Sequence, residues 1–572
     1  MSVVGIDLGT TNSLVAILRG DKPETLPNEM GEHLTPSAVA IAHDGALLVG
    51  RAAWDRLVLD PASGKAFFKR DMGTSAVYQF GGRRWTPTEC SALVLGEMKR
   101  IAQQHLGKDV TRAVITVPAY FRESQRQATS EAAQLAGLSV ERIANEPTAA
   151  ALAYGYNNPD KEKRLLVFDL GGGTFDVTVL EVFSGIIEVR ASGGESRLGG
   201  EDYTDALLEH ILKQCGLSSK HPNIGVMRTQ VEALKRRLSV RENAGIVLEG
   251  RELAVSRKIL EEAGAVLTAR LRPVVMRCLR DANLTPQQVD DVLLVGGASR
   301  MHMISNFLNT DLGRPGVLKI DPDRVVALGA AVQAALCAGD AAVQDLVLTD
   351  VCAHTLGVST AKEFAPGQIV PGYYTPLIER NTTVPVSRSK IFNCFAPQQD
   401  EITVEVYQGE SRMTRDNHLL GKLSVAGLRR PPNQEPSIVE IRFTYDMSGL
   451  LEVDVTILQT GKKYHTTIEE RPGSLSRAQV EAIRQRLAPL RIGPRDRVQN
   501  RARIERGHRL FATLRGQARQ ELGLALDMFE QALETGDENA WEEAGRHLDA
   551  FLAQFRLEEG EWQPPSEEER RP

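Results

Sequence analysis

Val3-Val4-Gly5-Ile6-Asp7-Leu8-Gly9-Thr10-Thr11-Asn12, near the N-terminus, is repeated in plan by Leu165-Leu166-Val167-Phe168-Asp169-Leu170-Gly171-Gly172-Gly173-Thr174. Each copy is an apolar strand, an aspartate, a glycine-bearing turn with hydroxyls, and a returning strand. A third glycine turn, Gly296-Gly297-Ala298-Ser299-Arg300, follows the apolar run at 292–295. Glycines let backbone N–H groups approach an anion closely, and threonine hydroxyls add donors. An aspartate at each strand end suits the water shell of Mg2+, which keeps several waters when it binds phosphates. Two such turns can hold a polyphosphate from two sides. Neither G-x-x-x-x-G-K-[ST] nor G-x-G-x-x-G occurs, which excludes the P-loop and dinucleotide-fold solutions.

Outward from the repeat, residues 1–340 alternate short apolar runs (3–6, 113–117, 165–168, 177–182, 292–295) with helical patterns, as an α/β domain does. A short connecting segment, 341–352, follows. Residues 353–472 lose the helical period. Ile402, Val404 and Val406 alternate with polar residues, as do Leu451, Val453, Val455 and Ile457, which predicts a compact antiparallel β domain. From 473 to 572 the chain turns helical. Ser476 and Gln479 form a capping-box pattern before Val480, Ile483 and Leu487. Leu522, Leu526, Phe529 and Leu533 make a second stripe, stopped at Gly536, and Leu548, Phe551, Leu552 and Phe555 a third.

The 572 residues fit three or four domains, and 42% hydrophobic with 25% charged residues is ordinary for a globular protein. A net charge of −6 argues against nucleic acid as the main partner. The six cysteines are scattered, which fits reduced thiols and a cytoplasmic location. No signal peptide, membrane span or metal-binding histidine spacing is expected.

Hydrolysis of a bound nucleotide needs a cation at the γ-phosphate and an oriented water. Lys69, in Phe67-Phe68-Lys69-Arg70, and Glu146, in Asn145-Glu146-Pro147-Thr148, are candidates. On position alone, a lysine such as Lys69 is usually a snorkelling surface residue, and Glu146 can be a helix-dipole acid.

The motifs IDLGTTNS, FFKR, VPAYF, QRQAT, NEPTAAALAYG, DLGGGTFDV, LGGED and VGGASR occur in this order. Together they resemble the seventy-kilodalton heat-shock chaperone family of DnaK type, and the short length is closest to its HscC-like branch. The resemblance is most specific through residue 340, extends through NTTVPV, EVYQGE and DMSGLLEVDV, and fades in the tail. It implies a multidomain protein: an actin-like α/β ATPase domain (1–340), an interdomain linker (341–352), a β-sandwich peptide-binding domain (353–472) and a short α-helical lid and tail (473–572).

The resemblance also implies residue roles. Asp7, Asp169 and Glu146 would surround hydrated Mg2+ and the attacking water, with Asp176 completing the carboxylates. Gly9, Thr10, Thr11 and Asn12, with Gly171, Gly172, Gly173 and Thr174, would bind phosphate, and Lys69 would be the catalytic cation. Gly199, Gly200 and Glu201, then Glu232, Lys235 and Ser239, with Gly296, Gly297 and Arg300, would hold the rest of ATP or ADP. K+ is an accessory ion in this reading. Pro118, Arg126 and Asp350 match a relay between domains, and Arg142 matches a docking position for a J-domain co-chaperone. Phe392, Ile402, Val404 and Leu450 align with a peptide pocket, or are plain β core. Tyr374 and Phe395 would arch over the peptide. The expected partners are extended client peptides and a J-domain protein, acting on a monomer.

Three departures stand out. Thr349 interrupts the apolar linker run and would weaken its docking. The segment between Leu238 and Lys258 is short, which argues against dependence on a GrpE-type exchange factor. Pro489 and Gly493-Pro494 break the first tail helix. A small-molecule kinase on the same fold would also use the phosphate loops, and a non-hydrolysing relative would keep the architecture without turnover.

Overall fold

The computed structural model describes residues 3–156, 162–183, 186–317, 320–343, 347–365, 368–431, 434–446, 451–467, 483, 498–514, 516–535 and 538–554. The sequence repeat is a structural one. In the first sheet, Val3–Leu8 lies between the parallel strand Arg112–Val117 and the antiparallel strand Asn12–Arg19. In the second, Lys163–Leu170 lies between the parallel strand Asp291–Val295 and the antiparallel strand Phe175–Phe183. Asp7 sits opposite Thr116 and Leu14, and Asp169 opposite Val295 and Asp176, so both aspartates end a central strand at the same edge of their sheets. Their runs of Val, Leu and Ile are buried because layers cover both faces.

Two alanine-rich helices, Glu146–Tyr156 and Val325–Ala338, pack against each other, and residues from both share one core with strands of the second sheet. Glycine sets the spacing. A Cβ at Gly329 would lie 1.7 Å from the carbonyl oxygen of Ala149, and one at Gly5 would lie 2.3 Å from the backbone of Ala330. The small side chains bring the first strand, one helix and the other helix into one tight stack.

The period-two region forms two four-stranded antiparallel sheets. One has the order Gln368–Ile378, Leu356–Ala365, Glu401–Gln408, His418–Ala426, and the other Val386–Asn393, Ile438–Tyr445, Leu451–Ile457, Lys463–Thr467. Val358, Val404, Val406 and Val425 from the first meet Val439, Phe443, Val453 and Val455 from the second in a shared core. The alternation buries one residue in two, as a sandwich requires.

The segment Val347–Val351, expected as a linker, is a strand. It runs parallel to Ile186–Glu195 at the edge of the second sheet, with Leu348 opposite Ile187 and Thr349 opposite Glu188. It also pairs with Thr383–Val384, where Asp350 faces Val384. The strand therefore continues through Thr349. The effect of that residue is local: its hydroxyl is buried with no hydrogen-bond partner.

Helices Val498–Thr513, Gly516–Thr535 and Glu538–Ala553 share a core of Ile504, Leu522, Leu526, Phe529, Leu533, Trp541, Leu548 and Leu552. Val498–Thr513 lies against Arg51–Leu59 of the N-terminal region. Arg509 pairs with Asp55 at 2.8 Å and Arg501 with Asp44 at 2.6 Å. The expected capping box, the breaks at Pro489 and Gly493-Pro494, the stop at Gly536, and Phe555 lie outside the described residues.

Candidate functional site

The two phosphate turns face each other so closely that side chains are excluded. A Cβ on Gly172 would sit 1.8 Å from Thr11 Oγ1, and one on Gly173 would sit 2.5 Å from Thr10 Cγ2. The second turn is held by Gly171 N–H donating to Thr174 C=O (3.1 Å). Behind it Gly200 and Glu201 N–H donate to the Gly171 and Gly172 carbonyls (both 2.9 Å). Helix Gly200–Cys215 begins there, and Gly199 is glycine because a Cβ would meet Gly172 O at 2.5 Å. A helix N-terminus beside an amide-rich turn is a ready anion site. The third turn closes the set: Gly296 has φ +77°, and its Cα faces Leu170 and Gly171 with no room for a Cβ.

Lys69 lies in the short turn Phe68–Asp71 and is 3% exposed. Its Nζ donates to Glu146 Oε1 at 2.6 Å and lies 5.6 Å from the centre of the Phe121 ring. This excludes the surface reading of the lysine. Glu146 starts helix Glu146–Tyr156, directly after strand Ser139–Asn145.

Three more carboxyls are buried nearby. Burial, reinforced by the charge of Glu146, pushes Asp7 up to about 7; Thr116 Oγ1 donates to it at 3.1 Å. Burial and then Glu146 push Asp176 up to about 7, although Tyr120 N–H donates to it at 3.1 Å. Asp169 is raised well above the carboxylate range by burial and then by Glu146, Asp176 and Asp7. Four carboxyls with one ammonium leave a negative surplus, and an all-oxygen donor set suits Mg2+. Among the described residues no three of these groups converge closely enough to ligate an ion together. The expected metal residues Asp7, Asp169 and Glu146 thus fit an ion held through its water shell and its phosphates, not one caged by protein.

The expected nucleoside residues lie on the neighbouring lobe. Lys235 Nζ reaches Gly200 O (2.6 Å), Thr204 Oγ1 (2.8 Å) and Glu232 Oε2 (2.6 Å). Burial opposes ionisation of Glu232, but Lys235 and Arg236 outweigh it and hold the carboxyl far below its usual range. Arg300 pairs with Asp321 and Asp323, both at 2.7 Å, and Gly297 sits against Asp323. Ser239 Oγ donates back to Lys235 O at 3.3 Å, inside its own helix.

Two cross-cleft clasps carry no sequence signal. Arg70 donates to Asp202, 132 residues away, at 2.5 and 3.1 Å. Arg228 pairs with Glu201 (2.7 Å) and Asp205 (2.8 Å) while lying over the Phe67 ring. Phe67 adopts φ +58° to present that ring.

Asn145, also unflagged, bridges the relay residues. Arg126 donates to Asn145 Oδ1 at 2.5 Å and to the Ala119 carbonyl, gripping the turn that starts at Pro118. Asn145 Nδ2 donates to Asp350 Oδ2 at 2.8 Å, and Thr148 Oγ1 to the same oxygen at 3.3 Å. Arg142 lines an open groove with Gln333, Leu336, Cys337 and Leu348 of the docked strand.

In the sandwich, Val404 is buried, and Phe392 and Ile402 pack half-buried on the same core. Leu450 lies outside the described residues. Phe395 is exposed. Tyr374, expected to arch over a peptide, donates its hydroxyl to the Thr355 carbonyl at 2.8 Å. It belongs to a hairpin, Leu356–Ala365 with Gln368–Ile378, whose base holds Tyr374 and whose outer part presents Phe364.

The Hsp70 protein family profile matches residues 3–80 and 75–554. Members of that family are ATPases that use ATP or ADP with Mg2+, which the buried lysine–carboxylate cluster and the facing phosphate turns fit. With the profile spanning nearly all of it, the chain belongs to the Hsp70 family of ATP-dependent chaperones.

Proposed function

We propose that this chain is a nucleotide-timed clamp for extended apolar peptides, with hydrolysis stimulated by a J-domain protein. The observation that carries the reading is the strand Val347–Val351. It is bonded to the sheet of the second phosphate turn and to the sandwich, and its Asp350 is held by Asn145 beside Glu146.

In this reading residues 1–340 hydrolyse ATP, 341–352 couple, 353–472 hold peptide and 473–572 form the lid. Thr10, Thr11, Asn12 and Gly171–Thr174 bind the phosphates. Glycine N–H groups fix them without side-chain bulk. Lys69 neutralises charge that develops on the transferred phosphoryl group, and the carboxyls of Glu146 and Asp169 orient water. Mg2+, and K+ beside it, would neutralise phosphate charge. The Arg70–Asp202 and Arg228–Phe67 clasps exclude water by holding the lobes together.

ATP and ADP must favour different arrangements for the clamp to be driven, and the strand Val347–Val351 is the element with two available states, docked and released. Phe392, Ile402 and Val404 would line the peptide pocket and Phe395 its rim, and Arg142, in its groove beside Leu348, would receive the J-domain. A monomer in a reducing cytoplasm fits the six unpaired cysteines, and the hairpin 243–256 is too short to require a GrpE-type factor.

The test is release of a labelled apolar heptapeptide on adding ATP or ADP, with single-turnover hydrolysis measured with and without a J-domain protein. Release at least tenfold faster in ATP than in ADP supports the clamp. Equal release, or turnover that transfers phosphate to a sugar, overturns it.

A further inference from the structure

His354 lies between the nucleotide lobe and the sandwich, three residues past the docked strand, and is 6% exposed. Its ring sits on the Tyr120 ring, with centroids 4.2 Å apart and planes tilted by 56°. His354 Nε2 is 3.2 Å from the Tyr120 carbonyl oxygen. A carbonyl only accepts, so Nε2 carries the hydrogen. Tyr120 N–H in turn donates to Asp176 Oδ1 at 3.1 Å. One residue thus links a carboxyl of the nucleotide site to a side chain of the sandwich. The chain of contacts is Asp176, the Tyr120 backbone, then the His354 ring. It meets the route through Asn145 and Asp350 at Arg126, which donates to the Ala119 and Phe121 carbonyls on either side of Tyr120.

The surroundings favour a neutral ring. Burial is the largest influence, and Arg122 and Arg126 on the nucleotide side add to it. The Tyr120 carbonyl and Glu410 of the sandwich oppose it. Glu410 is itself engaged: it accepts from Thr355 N–H (2.9 Å) and Thr355 Oγ1 (2.8 Å), and Arg380 lies 3.4 Å away. Together they lower the ring to about 4.

We infer that His354 is a positioning residue that fastens the sandwich to the nucleotide lobe through Tyr120, and that the fastening holds only while its ring is neutral. The inference rests on the clamp reading for its consequence, but its geometry stands without it. Once the domains part, the ring returns to solvent and its ordinary value of 6.5. The released state then binds the proton more readily than the docked one. Docking is intact above pH 6.5 and is lost as pH falls toward 4. Proton linkage gives about a tenfold drop in the docking constant between pH 7.5 and pH 5.5 from this group alone.

The test uses the full chain with ATP and two variants. His354→Gln keeps a neutral N–H donor, and His354→Leu keeps the bulk without it. Amide hydrogen exchange at residues 347–350 reads docking, and ATP-triggered peptide release reads coupling. For the parent, the protection factor of these amides, which removes the intrinsic pH dependence of exchange, is expected to fall about tenfold more between pH 7.5 and 5.5 than it does in His354→Gln. His354→Gln should couple within threefold of the parent at pH 7.5, whereas His354→Leu should dock several-fold more weakly than His354→Gln at both pH values. The same acid response in the parent and in His354→Gln, or normal docking in His354→Leu, overturns the inference. If ATP releases no peptide from the parent at pH 7.5, the clamp reading fails, and the exchange comparison still decides the role of His354.

Discussion

Replacing Lys69 with alanine tests the centre of the site. The Nζ–Oε1 distance of 2.6 Å to Glu146 gives a gross attraction of ~6 kcal/mol at an effective dielectric of about 20. Desolvation of both groups offsets much of that, but removing one partner of a buried pair costs about 3–5 kcal/mol when the other stays charged. Here the loss is capped. Lys69 is among the groups that hold Asp7, Asp169 and Asp176 down, so without it these already raised carboxyls take up a proton. Stability should therefore fall by less than that range and the protein should still fold.

Catalysis has no such escape, because a protonated carboxyl cannot replace a cation beside a transferring phosphoryl group. Comparable cations contribute about 10³-fold or more, which corresponds to a barrier increase of ~4 kcal/mol. The assay is single-turnover hydrolysis of pre-bound ATP, with ATP affinity measured separately. Affinity within tenfold of the parent and a hydrolysis rate lowered about 10³-fold are expected. A rate within threefold of the parent in the ATP-loaded variant would refute the assignment of Lys69 as the catalytic cation.

Two further predictions concern docking. Thr349→Val keeps the shape of the side chain and removes a buried hydroxyl without a partner, so docking of the strand should strengthen by about 1 kcal/mol. Amide exchange at 347–350 should slow about fivefold, and unchanged or faster exchange would show that the hydroxyl costs nothing. Glu505 lies at the contact between helices Val498–Thr513 and Arg51–Leu59, where burial raises it to about 7 against the pull of Arg56 and Arg501. Its docked value exceeds its free value of 4.5, so this contribution is complete below pH 4.5 and is lost as pH rises through 7. A fluorescence-transfer pair across the two helices should show docking weaken about tenfold from pH 6 to 8. Glu505→Gln should abolish that slope, and an equal slope in both proteins would sink the idea.

Local pattern made much of this fold legible. The phosphate repeat gave the two equivalent strand–turn–strand units because the apolar runs, the aspartates and the glycines are contiguous in sequence. Alternation from Ile402 to Val406 and from Leu451 to Ile457 gave the sandwich strands for the same reason. What stayed hidden depends on distant partners. Arg70 and Asp202 are 132 residues apart, and nothing local separates their pair from ordinary surface charges. Five residues at 347–351 carry no signal of the edge they will join, so they read as a linker until Ile186–Glu195 is placed beside them. His354 is a lone histidine in sequence; only Tyr120, 234 residues away, gives it a role. The tie of the Tyr374 hydroxyl to the Thr355 carbonyl likewise depends on how the strands of the hairpin 356–378 pair, which local pattern does not show.

In the proposed clamp, the connection between the nucleotide site and the docked strand runs through one peptide bond. Asn145 ends a strand and Glu146 begins a helix, so their side chains leave the same backbone toward different partners. Glu146 goes to Lys69, and Asn145 to Arg126 and Asp350. In the proposed clamp, a change at the lysine–carboxylate pair would reach Asn145 through this shared backbone, and Asn145 holds the strand Val347–Val351 through Asp350. Such a route transmits only if the strand can be tipped between two states by the few kcal/mol that ATP and ADP can differ by. A strand docked too firmly would stay docked with either nucleotide. The unpartnered hydroxyl of Thr349 lowers the docked state's stability by about 1 kcal/mol, and protonation of His354, on the inference above, would lower it further as acid is added. In the proposed clamp both features would act in the same direction, weakening docking toward the range in which occupancy of the phosphate turns could decide it.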